Sequence, residues 1–230
     1  MNPISTSLSH ESAETIVGGA DVTMAILKRA LTLAPRLAAA DGGADAVLAA
    51  GLRPDRVVGD MDSLSPEARA AFADVLHPIA EQDSTDFGKA LRTSTAPWML
   101  GVGFLGARLD HTLACLTELA VSRAPCVLLS GSDCVCILPP RLRLDLPLGS
   151  RVSLWPLGPA RGRSIGLNWP VDGLEMAPYG RVGTSNRSNA PRIEIAFEGA
   201  PVALLLDQNV LESLLVGLGF HPRPEGEGGL

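Results

Sequence analysis

The 230-residue chain is 46% hydrophobic and 19% charged, enough apolar surface for one large domain or two modest ones. Its 25 carboxylates against 19 Lys and Arg leave a net charge of −6, which gives no sign of a nucleic-acid footprint, since that needs a basic stripe. No apolar run approaches the roughly 18 residues of a membrane span, the polar start Met1–Ser12 lacks the regions of a signal peptide, and the four cysteines show no C-x-x-C spacing, so the expected compartment is the cytoplasm with reduced core thiols.

Ile16 to Gly19 reads as a strand entering a turn, and Val22 to Leu33 as a helix. Leu37 to Ala40 is a strand that ends at Asp41-Gly42-Gly43, followed by a short helix from Ala44 to Ala50. Arg56 to Gly59 is a strand ending at Asp60-Met61-Asp62-Ser63. Ser65 and Pro66 then open a helix to Ala73, as N-cap and first helical residue. A lead-in Gln82-Asp83-Ser84 precedes a helix from Thr85 to Arg92. Trp98 to Val102 and Cys126 to Leu129 are strands flanking a helix that Asp110 caps. This alternation predicts a parallel sheet covered by helices on both faces. Beyond Ser132 the helical patterns give way to short strands, such as Val135–Leu138, Arg151–Leu154 and Ile193–Phe197, punctuated by Pro and Gly. Arg141 to Leu146 alternates strictly. The fold class expected is an α/β parallel-sheet N-terminal domain over 14–131 followed by a small all-β sandwich domain over 132–209. A terminal helix is expected at Val210–Phe220, and 1–13 and 221–230 are expected to be disordered.

Six aspartates, Asp41, Asp60, Asp62, Asp83, Asp86 and Asp110, fall beside predicted strand ends or helix starts. In an open parallel sheet the carboxyl ends of the strands share one edge, where ligands bind. Carboxylates gathered there repel one another unless a cation intervenes. Oxygen-only ligands favour Mg²⁺ over zinc. Asp60 and Asp62, two apart on an extended segment, would point the same way and share one ion. Asp86 sits in the first turn of a helix, where free N–H groups favour anions. No G-x-x-x-x-G-K-[ST] run is present, so the phosphate chemistry is not of the P-loop kind. The only lysines, Lys28 and Lys89, leave few candidates for a phosphate-binding ammonium.

Four segments in order, Asp41-Gly42-Gly43-Ala44-Asp45, Gly59-Asp60-Met61-Asp62-Ser63, Gln82-Asp83-Ser84-Thr85-Asp86-Phe87-Gly88-Lys89 and Gly106-Ala107-Arg108-Leu109-Asp110-His111, resemble the thiamine pyrophosphokinases. Ser153-Leu154-Trp155-Pro156-Leu157, Gly166-Leu167-Asn168-Trp169 and Gly183-Thr184-Ser185-Asn186 extend the likeness over about residues 14–207. The resemblance implies a homodimer with thiamine bound between the α/β domain of one subunit and the β domain of the other. It implies Mg²⁺ on Asp60, Asp62 and Asp86. It puts ATP against Asp41, Gly42, Thr85, Lys89, Arg108 and His111, and thiamine against Gln82, Trp169, Ser185 and Asn186. Asp60, Asp62, Asp83, Asp86 and Asp110 form the expected catalytic set. Two departures stand out, Ala107 where a second Gly is frequent and Cys115 where Asn is common.

The expected reaction is attack of the thiamine hydroxyl on the β-phosphorus of ATP, with AMP leaving. Asp41, Asp83 and Asp110 remain open as acceptors of the hydroxyl proton. The Trp169 indole suits a cationic thiazolium or flat aminopyrimidine. Two rival activities use the same carboxylates: pyrophosphoryl transfer to another heterocyclic alcohol, such as a hydroxymethylpterin, and metal-dependent phosphohydrolysis.

Overall fold

The computed structural model describes residues 12–106 and 108–221. Ala107 and the terminal stretches 1–11 and 222–230 lie outside the described residues. Of 1–13, expected to be disordered, Ser12 and Ala13 are described; Ala13 is fully buried, its carbonyl accepting from the Arg36 N–H at 3.1 Å.

The first half alternates strands and helices: β1 (Glu14–Val17), α1 (Met24–Leu33), β2 (Arg36–Ala40), α2 (Gly43–Ala49), β3 (Arg56–Gly59), α3 (Pro66–Ala71), β4 (Leu76–Pro78), α4 (Asp86–Thr93), β5 (Met99–Val102), α5 (Leu109–Ser122) and β6 (Cys126–Leu129). β1, β5 and β6 pair in parallel, as do β2, β3 and β4. The Thr15 hydroxyl donates to the Ala34 carbonyl at 2.7 Å and ties β1 to the entry of β2. Local signals set the helix starts. Thr23, Ser65 and Thr85 each accept an N–H of the first turn through their hydroxyls. On α1, Leu27, Ala30 and Leu33 form the buried stripe. Asp110, expected to cap α5, lies inside its first turn instead; Arg108 is the residue before the helix and makes no side-chain cap.

The second half is β7 (Asp133–Ile137), β8 (Arg141–Asp145), β9 (Arg151–Pro156), β10 (Ala160–Ile165), β11 (Glu175–Met176), β12 (Gly183–Arg187), β13 (Arg192–Gly199), β14 (Val202–Asp207) and α6 (Leu211–Gly217). Here the structure departs from two separate sheets. β7 pairs antiparallel with β6, Leu128 opposite Val135 and Leu129 opposite Cys134. One mixed sheet therefore runs β1-β5-β6-β7-β14-β9-β12 through the expected boundary. A second sheet, β11-β10-β13-β8, packs against its later strands. Cys134, Cys136, Val152, Leu154, Leu204 and Leu206 of the mixed sheet share one core with Leu142, Leu144, Ile193 and Ile195 of the second. The opposite face of the mixed sheet, with Leu128, Val135 and Ala203, packs with Cys115, Leu116 and Leu119 of α5. The strict alternation of Arg141–Asp145 appears as alternating exposed and buried residues. All four cysteines are buried free thiols, and burial pushes those of Cys115 and Cys134 up to about 12. No described helix is long and apolar enough to cross a membrane.

Candidate active site

The carboxyl ends of β2 and β3 and the start of α4 bring Asp41, Asp60 and Asp86 together. One carboxylate oxygen from each lies within 4.8 Å of the others. Glycine makes this approach possible. A Cβ on Gly59 would stand 2.8 Å from the Asp41 Cβ and 3.1 Å from Asp86 Oδ1. On Gly43, a Cβ would run into the Val17 carbonyl, so that glycine seats α2 against β1. The three aspartates line a cleft of about 590 Å³ together with Gly42, Gln82, Thr85, Lys89, Phe104, Arg108 and His111.

The set differs from the expected one by Asp41 in place of Asp62. An extended Asp-x-Asp segment would have aimed Asp60 and Asp62 alike. Met61 instead takes φ 67°, a left-handed conformation that turns the chain between them. Asp62 is exposed; its N–H donates to Asp60 Oδ1 at 3.2 Å and its carboxylate accepts from the Ser63 hydroxyl at 2.9 Å. Asp41 also adopts a positive φ, 39°. Sparsely populated backbone of this kind persists only where surroundings hold it. Here the Ser63 N–H donates to Asp41 Oδ2 at 3.1 Å.

Asp41 is 3% exposed, and its Oδ1 has no hydrogen-bond partner. Burial pushes its carboxyl above the ordinary aspartate value, the Ser63 contacts oppose this, and the charges of Asp86 and Asp60 add to it. Asp60 moves the other way, held down first by the Asp62 N–H, then by the Gln82 amide at 3.1 Å. Lys89 is the cation within the cluster. Its side chain is 2% exposed, with Nζ 3.0 Å from Asp86 Oδ1 and 3.8 Å from Asp60 Oδ2. One ammonium against three carboxylates leaves negative charge uncompensated, and one buried Asp41 oxygen is left without a donor. All these donors are hard oxygens, so the residues fit a divalent cation such as Mg²⁺.

Arg108 and Asp110 form an exposed pair at 2.6 Å, each holding the other in its charged form. Arg108 and His111 line the cleft, whereas Asp83 and Asp110 are not among its lining residues. A second cavity of about 400 Å³ shares Gly103 and Gly106 with the cleft and is walled by Val22, Ile26, Leu105, Leu129, Ser130 and Asp133. Sequence reasoning missed Glu118. Its Oε1 accepts both the N–H and the hydroxyl of Thr85, each at 3.1 Å. A lone glutamate seven residues past the Gly106–His111 segment carries no signal of its own.

The remaining expected residues lie in the β half. Ser185 and Asn186, read as a glycine-rich loop, belong to strand β12, which is irregular between Gly183 and Asn186. Ser185 has φ 61° and is exposed. Asn186 is 4% exposed and spends its amide on the backbone of Trp169, accepting its N–H at 3.2 Å and donating to its carbonyl at 2.7 Å. This presents the Trp169 indole to solvent, 61% exposed. These residues are not brought to the carboxylates within one chain. β12 lies six strand spacings from β1, about 29 Å at ~4.8 Å per strand.

Residues 27–128 match the family model described as thiamin pyrophosphokinase, catalytic domain. A thiamine pyrophosphokinase 1 from rice, Oryza sativa subsp. japonica, is 30% identical over 155 residues, covering 58% of this chain and 59% of that protein. Thiamine pyrophosphokinase 1 of Arabidopsis thaliana is 26% identical over 164 residues, covering 62% of this chain and 61% of its own. The chain thus spans about three fifths of the curated relatives it matches. In solved structures the fold recurs in the thiamin pyrophosphokinase of Candida albicans, at TM-score 0.72 and 14% identity over 90% of this chain and 95% of that one. It recurs also in that of Geobacillus thermodenitrificans, at 0.67 and 23% over 85% and 97%. Motif order, carboxylate cluster and domain match agree, and residues 27–128 are similar to the catalytic domain of the thiamin pyrophosphokinases.

Proposed function

We propose that this protein is a Mg²⁺-dependent thiamine pyrophosphokinase, transferring the pyrophosphoryl group of ATP to thiamine. The observation that carries the reading is the cluster of Asp41, Asp60 and Asp86 in the cleft, with Lys89 beside Asp60 and Asp86 and one buried Asp41 oxygen unpartnered. A divalent cation held by Asp41, Asp60 and Asp86 would neutralise charge on the phosphate oxygens. Lys89 and Arg108 add positive charge from the two flanking helices, and His111 borders the same space. The thiamine hydroxyl oxygen forms a bond to the β-phosphorus, the bond from that phosphorus to the α-phosphate oxygen breaks, and AMP leaves. Asp83 and Asp110 stand outside the cleft lining, so the hydroxyl proton passes to a carboxylate of the cluster. Rate acceleration comes mainly from alignment and electrostatics. The nucleoside extends into the neighbouring cavity, whose apolar walls suit a base and whose hydroxyls and carboxylates suit a ribose.

Residues 14–131 serve the nucleotide and metal, and 132–209 serve thiamine through Trp169 and Ser185. The long path between Trp169 and the carboxylates within one chain supports a homodimer, in which Trp169 of one subunit completes the cleft of the other. Incubation with ATP, Mg²⁺ and thiamine should yield AMP only when thiamine is present. Release of ADP, or of phosphate without an acceptor, would sink the reading. AMP formed with a hydroxymethylpterin but not with thiamine would move the activity to that alcohol.

A further inference from the structure

α4 and α5 carry the two kinds of ligand group, Asp86 and Lys89 on one, Arg108 and His111 at the start of the other. One contact fixes the first against the second. Glu118 Oε1 accepts the Thr85 N–H and the Thr85 hydroxyl, each at 3.1 Å, and the same Thr85 oxygen accepts the Gly88 N–H at 3.0 Å. Thr85 is the N-cap of α4, and Asp86 is the first residue of that helix. The hydroxyl proton is thereby directed to Glu118 and its lone pair to the helix, so Thr85 has a single orientation. Glu118 lies seven residues after His111 and three after Cys115, spacings that keep one face of α5, the face on which His111 and Cys115 border the cleft. Gly88 is the matching feature on α4. A Cβ there would stand 2.5 Å from the Glu118 carboxylate, which would have to move away from its present place to admit it.

We propose that Glu118 is a positioning residue, which through Thr85 holds the metal-facing end of α4 in register with the phosphate-facing end of α5. It touches neither substrate nor metal. Its effect reaches Asp86 and Lys89 through the N-cap, and the inference rests on the metal site described above. Removing the acceptor frees the Thr85 hydroxyl to rotate, strands its N–H, and lets the first turn of α4 shift.

Two variants of the full chain separate the roles. Glu118→Leu removes the acceptor, and Glu118→Gln retains Oε1. Calorimetric titration of Mg²⁺ alone, without ATP or thiamine, should give at least threefold weaker binding for the Leu variant. The Gln variant should stay within threefold of the unaltered protein. With substrates, Glu118→Leu should lower kcat by at least tenfold while the KM for thiamine stays within twofold. A folded Leu variant that binds Mg²⁺ within threefold of the unaltered protein overturns the proposal, as does a Gln variant damaged as badly as Leu. If Glu118→Leu does not fold, Gly88→Ala, which drives a methyl into the carboxylate, is read by the same titration against the same limits. If the unaltered protein itself binds no Mg²⁺, the metal reading fails and this inference with it. If it binds Mg²⁺ but makes no AMP, the titration still decides the role of Glu118.

Discussion

Asp41→Asn should stabilise the metal-free protein while abolishing its response to Mg²⁺. Asp41 is 3% exposed with one carboxylate oxygen unpartnered, beside Asp60 and Asp86. An unsatisfied buried polar group costs about 1–3 kcal/mol. Asparagine keeps an oxygen for the Ser63 N–H and turns its NH₂ toward the two remaining carboxylates, converting repulsion into donation. Most of that cost should be recovered, and at roughly 2–4 °C per kcal/mol for a chain of this size the metal-free melting temperature should rise by several degrees. The sign with pH follows from the raised carboxyl. An acid whose folded pKa lies above its unfolded value destabilises the fold as pH climbs past that unfolded value, here 3.8. The advantage of the variant should therefore vanish below that pH and be complete above the folded pKa. Mg²⁺ at a hundredfold excess over its dissociation constant should stabilise the unaltered protein by about 2.7 kcal/mol and leave the variant unmoved. Thermal melts with EDTA and with Mg²⁺, at pH 3.5 and 7, measure all of this. An Asn variant that melts below the unaltered protein in EDTA at pH 7, or gains as much from Mg²⁺, would refute the reasoning.

Other perturbations have equally definite outcomes. Trp169→Ala should weaken thiamine binding at least tenfold and leave ATP binding within twofold, measured by separate titrations; equal losses would remove Trp169 from the thiamine side. Asn186→Leu should produce a smaller loss in the same direction, with a shift in tryptophan emission, because the amide that holds the Trp169 backbone is gone. Lys89→Met should cost about 1.5–3 kcal/mol in EDTA, since a buried ammonium that meets two carboxylates is removed. Mg²⁺ should narrow that gap, and an unchanged melting temperature would count against the charge balance proposed. At thiamine concentrations too low for Trp169→Ala to turn over, mixing it with Asp86→Ala chains should restore activity if subunits share sites, and mixtures that gain none would argue for a site completed within one chain.

Much of the α/β half was legible because its signals are local. Strand ends marked by Asp-Gly-Gly and Asp-x-Asp, together with the Ser65 cap, place the carboxylate-bearing edge without knowledge of the sheet. Which carboxylates meet was not legible. The Asp60–Asp62 spacing suggests a shared face, but the left-handed Met61 breaks it, and Asp41 gains its place only because Gly59 leaves room over β3. The strands of the second half were harder still. β12, with the sequence Gly-Thr-Ser-Asn-Arg, has no apolar alternation because it is a sheet edge with one buried side chain, Asn186, used on backbone. β10 alternates small and charged residues, Ala160-Arg161-Gly162-Arg163, which reads as a turn until its neighbour β13 supplies the pairing. The continuity of the mixed sheet rests on the β6–β7 register, a long-range pairing that no window of sequence reports.

That pairing has a mechanical meaning. A hinge needs a place where the backbone is free of cross-strand bonds, and the Leu128–Val135 and Leu129–Cys134 pairs deny it one at the midpoint of the chain. In the proposed homodimer each chain would move as a stiff plate, with the carboxylate cleft toward one end and the Trp169 indole toward the other. Product escape from such an assembly would depend on loosening between plates, or on residues 81–84 folding aside, and turnover should slow sharply under covalent cross-links that join two subunits while tolerating links placed within one.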